Sequence, residues 1–240
     1  MLPLLALCVG AVSQGHCLRF EGDGQIAVVP YQKMMDVREL TLEVWIKVDD
    51  SSKERYFNYI VCRNYGDLGY GLALHGSPTK VFSQADSVAV PIGKWTHIAL
   101  VASNKAQKFY LNGELAAAWE RLGELKPFAR NLDIGNSDFL GIPGDQPTSF
   151  RGLIDEVRIW SKPMTQQQVR SKMNAYLRGS EKNLIGYFPF EEGKGQFIHD
   201  YSGHLISGSL GRSFQPGGDD PTWAEGVTLS GRKPTVRRRQ

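Results

Sequence analysis

Hydrophobic and polar residues alternate along much of the chain, and this alternation predicts β-strands. In TLEVWIKV, residues 41–48, every second residue is apolar, so one face of the strand is apolar and the other carries polar groups and a tryptophan. WTHIALVAS, residues 95–103, and QKFYLNGELAAAW, residues 107–119, continue the pattern. The second of these contains Asn112-Gly113, a dipeptide that accepts the positive φ angles of a tight hairpin turn. The pattern therefore predicts a mostly antiparallel β protein.

The segment from Ser161 to Gly179 carries the best helical pattern in the sequence. Thr165 can act as the N-cap, Gln168 completes a capping box, and apolar residues recur every four positions from 169 to 177. Many short strands with a single helix beside them are typical of two stacked sheets. We therefore predict an all-β fold, an antiparallel jelly-roll β-sandwich with one short helix near residues 164–178.

An acid interrupts one of these strands. In FRGLIDEVRIWSKPMTQQQV, residues 150–169, the two-residue period of a strand places Asp155 on the same face as the apolar residues 153, 157 and 159. An unpaired buried carboxylate is costly, so Asp155 must meet donors or a cation. Two interpretations stay open: it accepts backbone N–H bonds, or it helps to ligate Ca²⁺.

Composition and charge narrow the class of partner. The chain has 240 residues, 41% hydrophobic and 22% charged, with a formal net charge of +3. This is globular composition, and the charge is too small and too scattered to indicate a nucleic-acid partner. Basic residues concentrate only in RKPTVRRRQ, residues 232–240, within a Gly- and Pro-rich segment that we predict to be a C-terminal tail, residues 213–240. Such a tail is typically a solvated terminus, and the alternative is an electrostatic handle for an acidic polymer.

The first residues indicate export. An uncharged apolar run from Leu2 to Val12, followed by small residues, predicts a signal peptide over residues 1–15 and hence a secreted protein. No other segment approaches the about 18 apolar residues that a membrane-spanning helix needs, so no integral membrane segment is expected. Cys17 and Cys62 would remain after cleavage, and in an oxidising compartment they could form one disulfide. The alternative is two buried thiols.

Several motifs occur in an order that we can compare with known families. They are LRFEGDGQIAVVP, LTLEVWIK, GKWTHIALV, FYLNGEL, LDIGN, FRGLIDEVRIWSKPMTQQQV and NLIGYFPFEEGKGQFIHDYSGHLISGSL. Their order and spacing over residues 17–212 resemble those of the concanavalin A-like superfamily, and specifically its laminin G-like jelly-roll modules. The resemblance implies the fold over this range. It implies function only broadly, because the fold hosts lectins, adhesion modules, pentraxins and some glycosidases.

The resemblance also points to two sets of oxygen ligands for Ca²⁺, a cation that prefers carboxylates and carbonyls. The first set comes from loops that join the first and last strands and comprises Asp23, Asp155 and Asp200. The second set comes from NSDFLGIPGDQP, a loop similar to the pentraxin calcium loop, and comprises Asn136, Asp138 and Asp145. The chain departs from pentraxins at Asn136, where that family has a Glu, and at Phe57, where it has an Asp. The default alternative for either set is solvated loop acids.

The sequence favours binding over catalysis. Glucanases of this superfamily carry E-x-D-x-x-E on one strand, and no such string occurs here. The nearest acids, Asp155 and Glu156, are adjacent and are expected on opposite faces of a strand, so they cannot form the carboxylate pair that glycoside hydrolysis needs. Sugar sites are commonly lined by aromatic rings. The candidate contacts, each with core packing as its alternative, are Trp45, Tyr65, Tyr70 and Phe139.

We therefore expect a secreted, non-catalytic binding or adhesion module that takes a glycan or an extracellular protein as its partner. Carbohydrate is the expected ligand, and Ca²⁺ is the one cofactor that the pattern suggests. A structural or matrix subunit that uses the sandwich as a protein interface is the alternative, and a glycoside hydrolase is a third.

Overall fold

A computed structural model of the chain describes residues 13–50, 57–65, 68–75, 80–83, 86–120, 123–137, 148–205 and 207–235. These residues form two antiparallel sheets, with strands numbered in chain order. The first sheet contains β1 (Ser13–Glu21), β3 (Leu40–Val48), β8 (Trp95–Ala102), β9 (Ala106–Leu111), β10 (Glu114–Glu120), β12 (Arg151–Trp160), β13 (Leu184–Phe188) and β16 (Thr222–Leu229). The second contains β2 (Ala27–Val29), β4 (Phe57–Tyr65), β5 (Leu68–His75), β6 (Lys80–Ser83), β7 (Asp86–Ala89), β11 (Leu132–Ile134), β14 (Phe197–Ile198) and β15 (Gly208–Leu210).

The strand order shows a sandwich that the two ends of the chain help to build. The first sheet runs β10-β9-β8-β3-β12-β1-β16, with β13 paired to β12, and the second runs β14-β15-β2-β11-β4-β5-β6-β7. The apolar faces of both sheets meet in one buried cluster, to which β3 contributes Leu42, Val44 and Ile46. The hairpin predicted at Asn112-Gly113 is present between β9 and β10, with positive φ at both residues. The predicted all-β jelly-roll sandwich is thus confirmed.

A β-bulge in β12 overturns the face count made from the sequence. The pairing of β12 with β3 shifts register between Asp155 and Arg158, and Glu156 has a φ of 54°. The bulge adds one residue to the strand, so the alternation changes phase there. As a result Ile154 and Val157 both face the core. Asp155, which pairs with Trp45, lies on the opposite, outer face of the first sheet. The prediction that Asp155 shares a face with residues 157 and 159 was therefore wrong.

The predicted helix is present but short. Helix α1 covers Gln166–Lys172, and Thr165 and Gln168 form the capping box. The helix ends before residue 178 because the backbone after it bonds elsewhere: Ser230 N donates to Asn174 O at 2.9 Å and Tyr176 N donates to Ser230 O at 3.1 Å. A 3₁₀ turn covers Lys33–Met35. No helix among the described residues is long and apolar enough to cross a membrane.

The two termini differ from the expected domain boundaries. Strand β16 lies within the predicted tail of residues 213–240, yet it pairs with β1 from Arg19 to Ser13. The sandwich therefore extends to Leu229. At the other end, Ser13 and Gln14, which the predicted signal peptide would include, pair with β16, while residues 1–12 lie outside the described part of the chain.

The predicted disulfide is not formed. Cys17 and Cys62 are both buried, and no disulfide joins them. Cys17 lies on β1 of the first sheet, where its Sγ donates to Glu225 O at 3.2 Å. Cys62 lies on β4 of the second sheet and packs on Tyr59 and Ala73, outside the central cluster. Because they belong to different sheets and neither points into the shared core, the alternative of two buried thiols is correct.

Candidate functional site

The outer face of the first sheet carries a buried network of charged side chains. The bulge in β12 brings Asp155 and Glu156 to this same face, where they are 2% and 1% exposed, so the expectation of opposite faces was wrong. Asp155 accepts backbone N–H bonds from Glu156 at 2.7 Å and Val227 at 2.9 Å. This is the first of the two interpretations of Asp155, and it leaves its carboxylate closed to solvent.

Arg158 is the centre of this network. Its guanidinium donates to Glu156 Oε2 at 3.0 and 2.5 Å, to Lys172 O at 2.9 Å and to Ala175 O at 2.8 Å. The Tyr187 hydroxyl lies 3.1 Å from both oxygens of the same carboxylate. Burial raises the pKa of Glu156, and the charge of Arg158 partly opposes that rise. The network therefore joins β12 to the end of α1 and contains no open cleft between two acids.

Asp200 connects the turn after β14 to β13. It is 6% exposed, and it accepts the backbone N–H groups of Tyr187, Ser202, His204 and Leu205 at 2.7 to 3.0 Å. It also accepts the Ser202 hydroxyl at 2.7 Å. A carboxylate that serves this many donors pins the turn after β14 to β13.

The predicted sugar-contacting aromatics divide into two groups. Trp45 is 8% exposed, donates its indole N–H to Met173 O at 2.9 Å and packs edge-on against His97. Tyr70 is 2% exposed and belongs to the central core. Both are therefore packing residues, the alternative that the sequence left open. Phe139 and the side chain of Tyr65 lie outside the described residues.

Three loops meet at one end of the sandwich and form what we call the rim cluster, residues 22–25, 136, 148–149 and 211–220. Gly24 is its centre: its N–H donates to Ser149 Oγ at 3.0 Å, and its carbonyl accepts Asn136 Nδ2 at 3.1 Å and Arg212 Nη1 at 3.2 Å. Gly24 has a φ of +84°, a conformation that strains other residues. Gln25 Nε2 completes the connection by donating to Asp220 O at 2.9 Å.

The rim cluster brings together one residue from each predicted calcium set. Asp23 is exposed and lies 3.5 Å from Arg151, while Asn136 is buried and uses its oxygen for Ser137 N and Thr148 Oγ1. Asp138 and Asp145 lie outside the described residues. No group of three or more His, Cys, Asp or Glu side chains in the described part of the chain could hold a metal ion. Of the first predicted set, Asp155 and Asp200 are buried and accept backbone N–H groups, and only Asp23 is exposed, so calcium binding by this set stays a prediction.

Two exposed phenylalanines lie beside the rim cluster. Phe197 on β14 and Phe214 in the 211–220 loop are 43% and 56% exposed, and their rings stack with centroids 5.7 Å apart at 24°. Gln196 ties β14 to the loop by donating to Leu210 O at 2.6 Å and to Asp220 Oδ2 at 3.0 Å. We did not select either residue from the sequence. The signal was there for Phe214, an aromatic within the Gly- and Pro-rich segment that precedes β16.

The fold and this end-on cluster of loops define a class, the lectin-like β-sandwiches. A family model described as the concanavalin A-like lectin/glucanases superfamily matches residues 20–170. The chain belongs to this family, as the motifs in its sequence predict. No curated protein sequence matches the chain.

Solved structures of low sequence identity share the fold. A provisionally named carbohydrate-binding protein from Bacteroides ovatus superposes with a TM-score of 0.70 at 18% identity, over 90% of this chain and 62% of that protein. The binding domain of Paraclostridial Mosquitocidal Protein 1 superposes with a TM-score of 0.51 at 11% sequence identity, over 79% of this chain and 57% of that protein. A heptameric SAP-like pentraxin from Limulus polyphemus superposes with a TM-score of 0.49 at 17% sequence identity, over 65% of this chain and 80% of that protein. The chain spans less than two thirds of the length of the first two of these, and identities this low show the fold alone.

Proposed function

We propose that this protein is a non-catalytic carbohydrate-binding module that acts outside the cell and contacts sugar beside the rim cluster. The observation that carries the proposal is the exposed, stacked pair Phe197 and Phe214. Support for carbohydrate as the ligand comes from the family and from the similarity to the Bacteroides ovatus protein. Support for an extracellular location comes from the apolar run at the start of the sequence.

The surroundings of the aromatic pair suit a saccharide. Binding sites combine apolar and aromatic surface with a few polar groups of fixed orientation. Here the Ser213 hydroxyl donates to Gln215 O at 2.8 Å and accepts Gln215 N at 3.2 Å, which orders the loop on both sides of Phe214. Arg212, whose side chain is 44% exposed, is held by Asp219 at 3.0 Å and by the carbonyl of Gly24. Arg212 and Phe214 are therefore held in one ordered loop.

The absence of catalysis is part of the proposal. Glycoside hydrolysis needs two carboxyl groups on opposite sides of an accessible sugar. Asp155 and Glu156 are adjacent, buried and engaged by backbone N–H groups, Arg158 and Tyr187. Release of reducing sugar from a polysaccharide by the purified protein would contradict this point.

Calcium dependence stays a prediction. Among the described residues only Asp23 of the two predicted sets is an exposed carboxylate, so these residues alone do not fit a Ca²⁺ site. A site would depend on Asp138 and Asp145. Calorimetric titration with Ca²⁺, repeated with Asp23→Asn, tests whether the ion binds and whether the rim cluster takes part.

A glycan array tests the proposal. The native protein is applied in calcium and again in chelator, together with Phe214→Ala and the control Leu115→Ala. Leu115 is 50% exposed on β10 of the first sheet, so the control removes a similar apolar area elsewhere. We expect retention of the native protein and of Leu115→Ala, and a loss of at least about tenfold for Phe214→Ala, since one desolvated anchor commonly contributes more than 1 kcal/mol. Retention of Phe214→Ala at native level, or no retained glycan at all, would overturn the proposal.

A further inference from the structure

A pocket lies on the outer side of the first sheet, between the segment after α1 and the segment after β16. It has a volume of ≈ 550 Å³ and is lined by residues 176–178 and 231–235. The backbone bonds of Ser230 to Asn174 and Tyr176, at 2.9 and 3.1 Å, hold its two walls together. Ligand pockets commonly measure about 300–1,000 Å³, so the space suits a small ligand or a few sugar units.

The lining of this pocket is cationic. Lys233 Nζ lies 2.8 Å from Glu191 Oε2, so its charge is compensated. Arg178 and Arg232 are exposed, and neither guanidinium has a hydrogen bond or ion pair with any residue that the structure describes. The nearby Glu181 carboxylate accepts the Arg178 backbone N–H at 2.7 Å. Two arginines whose side chains have no partner among the described residues therefore line one pocket.

The guanidinium groups of Arg178 and Arg232 indicate that the pocket binds an anionic group. Their planar fork donates two parallel N–H bonds to a carboxylate or a sulfate, and these charge-assisted bonds are stronger than neutral ones. We infer that this pocket is a second saccharide site, which takes the carboxylate or sulfate group of an acidic sugar between Arg178 and Arg232. The inference rests on the proposed function for the nature of the ligand, but it shares no residue with the rim cluster.

The test uses three hexasaccharides and two variants of the full chain. The probes are a sulfated heparin fragment, an oligogalacturonate and the neutral maltohexaose, and the measurement is calorimetric affinity at low salt. Arg178→Met with Arg232→Met removes both guanidinium groups, and Arg38→Met with Lys105→Met removes two charges elsewhere. Arg38 has a side chain that is 71% exposed and Lys105 lies in an exposed turn, so the control keeps the same net charge and leaves the pocket intact.

We expect at least one acidic probe to bind, with an affinity that falls at least tenfold in the Arg178/Arg232 variant and less than twofold in the control. Raising the salt should weaken binding because exposed charges are screened. The stronger of the two acidic probes identifies sulfate or carboxylate as the group bound. Equal losses in both variants, equal affinity for maltohexaose, or tighter binding to duplex DNA or anionic vesicles would overturn the inference. Phe214→Ala should leave acidic-probe affinity unchanged, so failure of the rim cluster and failure of this pocket are distinguishable.

Discussion

Arg158 gives the sharpest test of how the outer face of the first sheet is held together. Its side chain is 0% exposed and makes four hydrogen bonds, two to Glu156 and one each to Lys172 O and Ala175 O. Arg158→Met keeps much of the volume but leaves a buried carboxylate and two carbonyls without their donor. Removing one partner of a buried ion pair costs about 3–5 kcal/mol.

We therefore expect Arg158→Met to lower the free energy of unfolding by about 4 kcal/mol, a large part of the about 5–15 kcal/mol that holds a domain folded. Urea titration followed by tryptophan fluorescence measures this, with a midpoint lower by about 1–2 M. Arg38→Met, at an exposed position, should stay within about 0.5 kcal/mol of the native protein.

A double-mutant cycle separates the lost pair from lost packing. Glu156→Gln combined with Arg158→Met removes the charge that the single variant leaves stranded, so the double variant should be more stable than the sum of the two single losses by about 2 kcal/mol. The reasoning is refuted if Arg158→Met costs less than about 1 kcal/mol, or if the two losses simply add.

Three further predictions concern buried groups. In the same urea titration, Asp200→Ala should lower the free energy of unfolding by at least about 3 kcal/mol, because it leaves four backbone N–H groups without their acceptor. Asp200→Asn keeps one acceptor oxygen and should lower it less. Equal losses for the two variants would contradict the role of Asp200 as an acceptor. Burial, and then the charge of Glu156, raises the pKa of Asp155 above its usual value near 3.8. The folded state thus keeps this proton longer than the unfolded chain, and the stability it contributes is present at low pH and lost as the pH rises through the folded pKa. From about pH 4 upward, the free energy of unfolding of the native protein should fall relative to that of Asp155→Asn. If the difference between the two proteins does not change with pH, Asp155 does not titrate in this way. Both cysteines are buried, and burial raises the pKa of the Cys17 thiol. Alkylation of Cys17 and Cys62 should therefore be slow in native protein and complete in urea. A peptide in which a disulfide links the two would contradict the structure.

Periodicity and local signals were enough for the fold. The alternation in residues 41–48, the turn at Asn112-Gly113 and the capping box at Thr165 are local features, and each appears in the structure at the predicted position. Local features were also enough for the family, because the motifs occur in a fixed order along the chain. The strand, turn and helix predictions need only residues close in sequence, and that is why they succeeded.

The errors share one cause, which is that they depend on neighbours distant in sequence. A single inserted residue at Glu156 reversed the faces of β12. Strand β16 looked like a tail because its partner, β1, lies some 200 residues away. Trp45 has the pattern of an outward residue, and it is buried because the segment after α1 and strand β16 cover it.

The sequence by itself determined an all-β sandwich of a known superfamily, with a capped helix and a set of candidate oxygens and aromatics. Tertiary structure decided which of them are available to a ligand. It buried Asp155, Asp200 and Tyr70, and it placed Phe214 and Arg178 at the surface. Exposure depends on what packs against a residue, and alternation along one strand carries no information about the layer that covers its outer face.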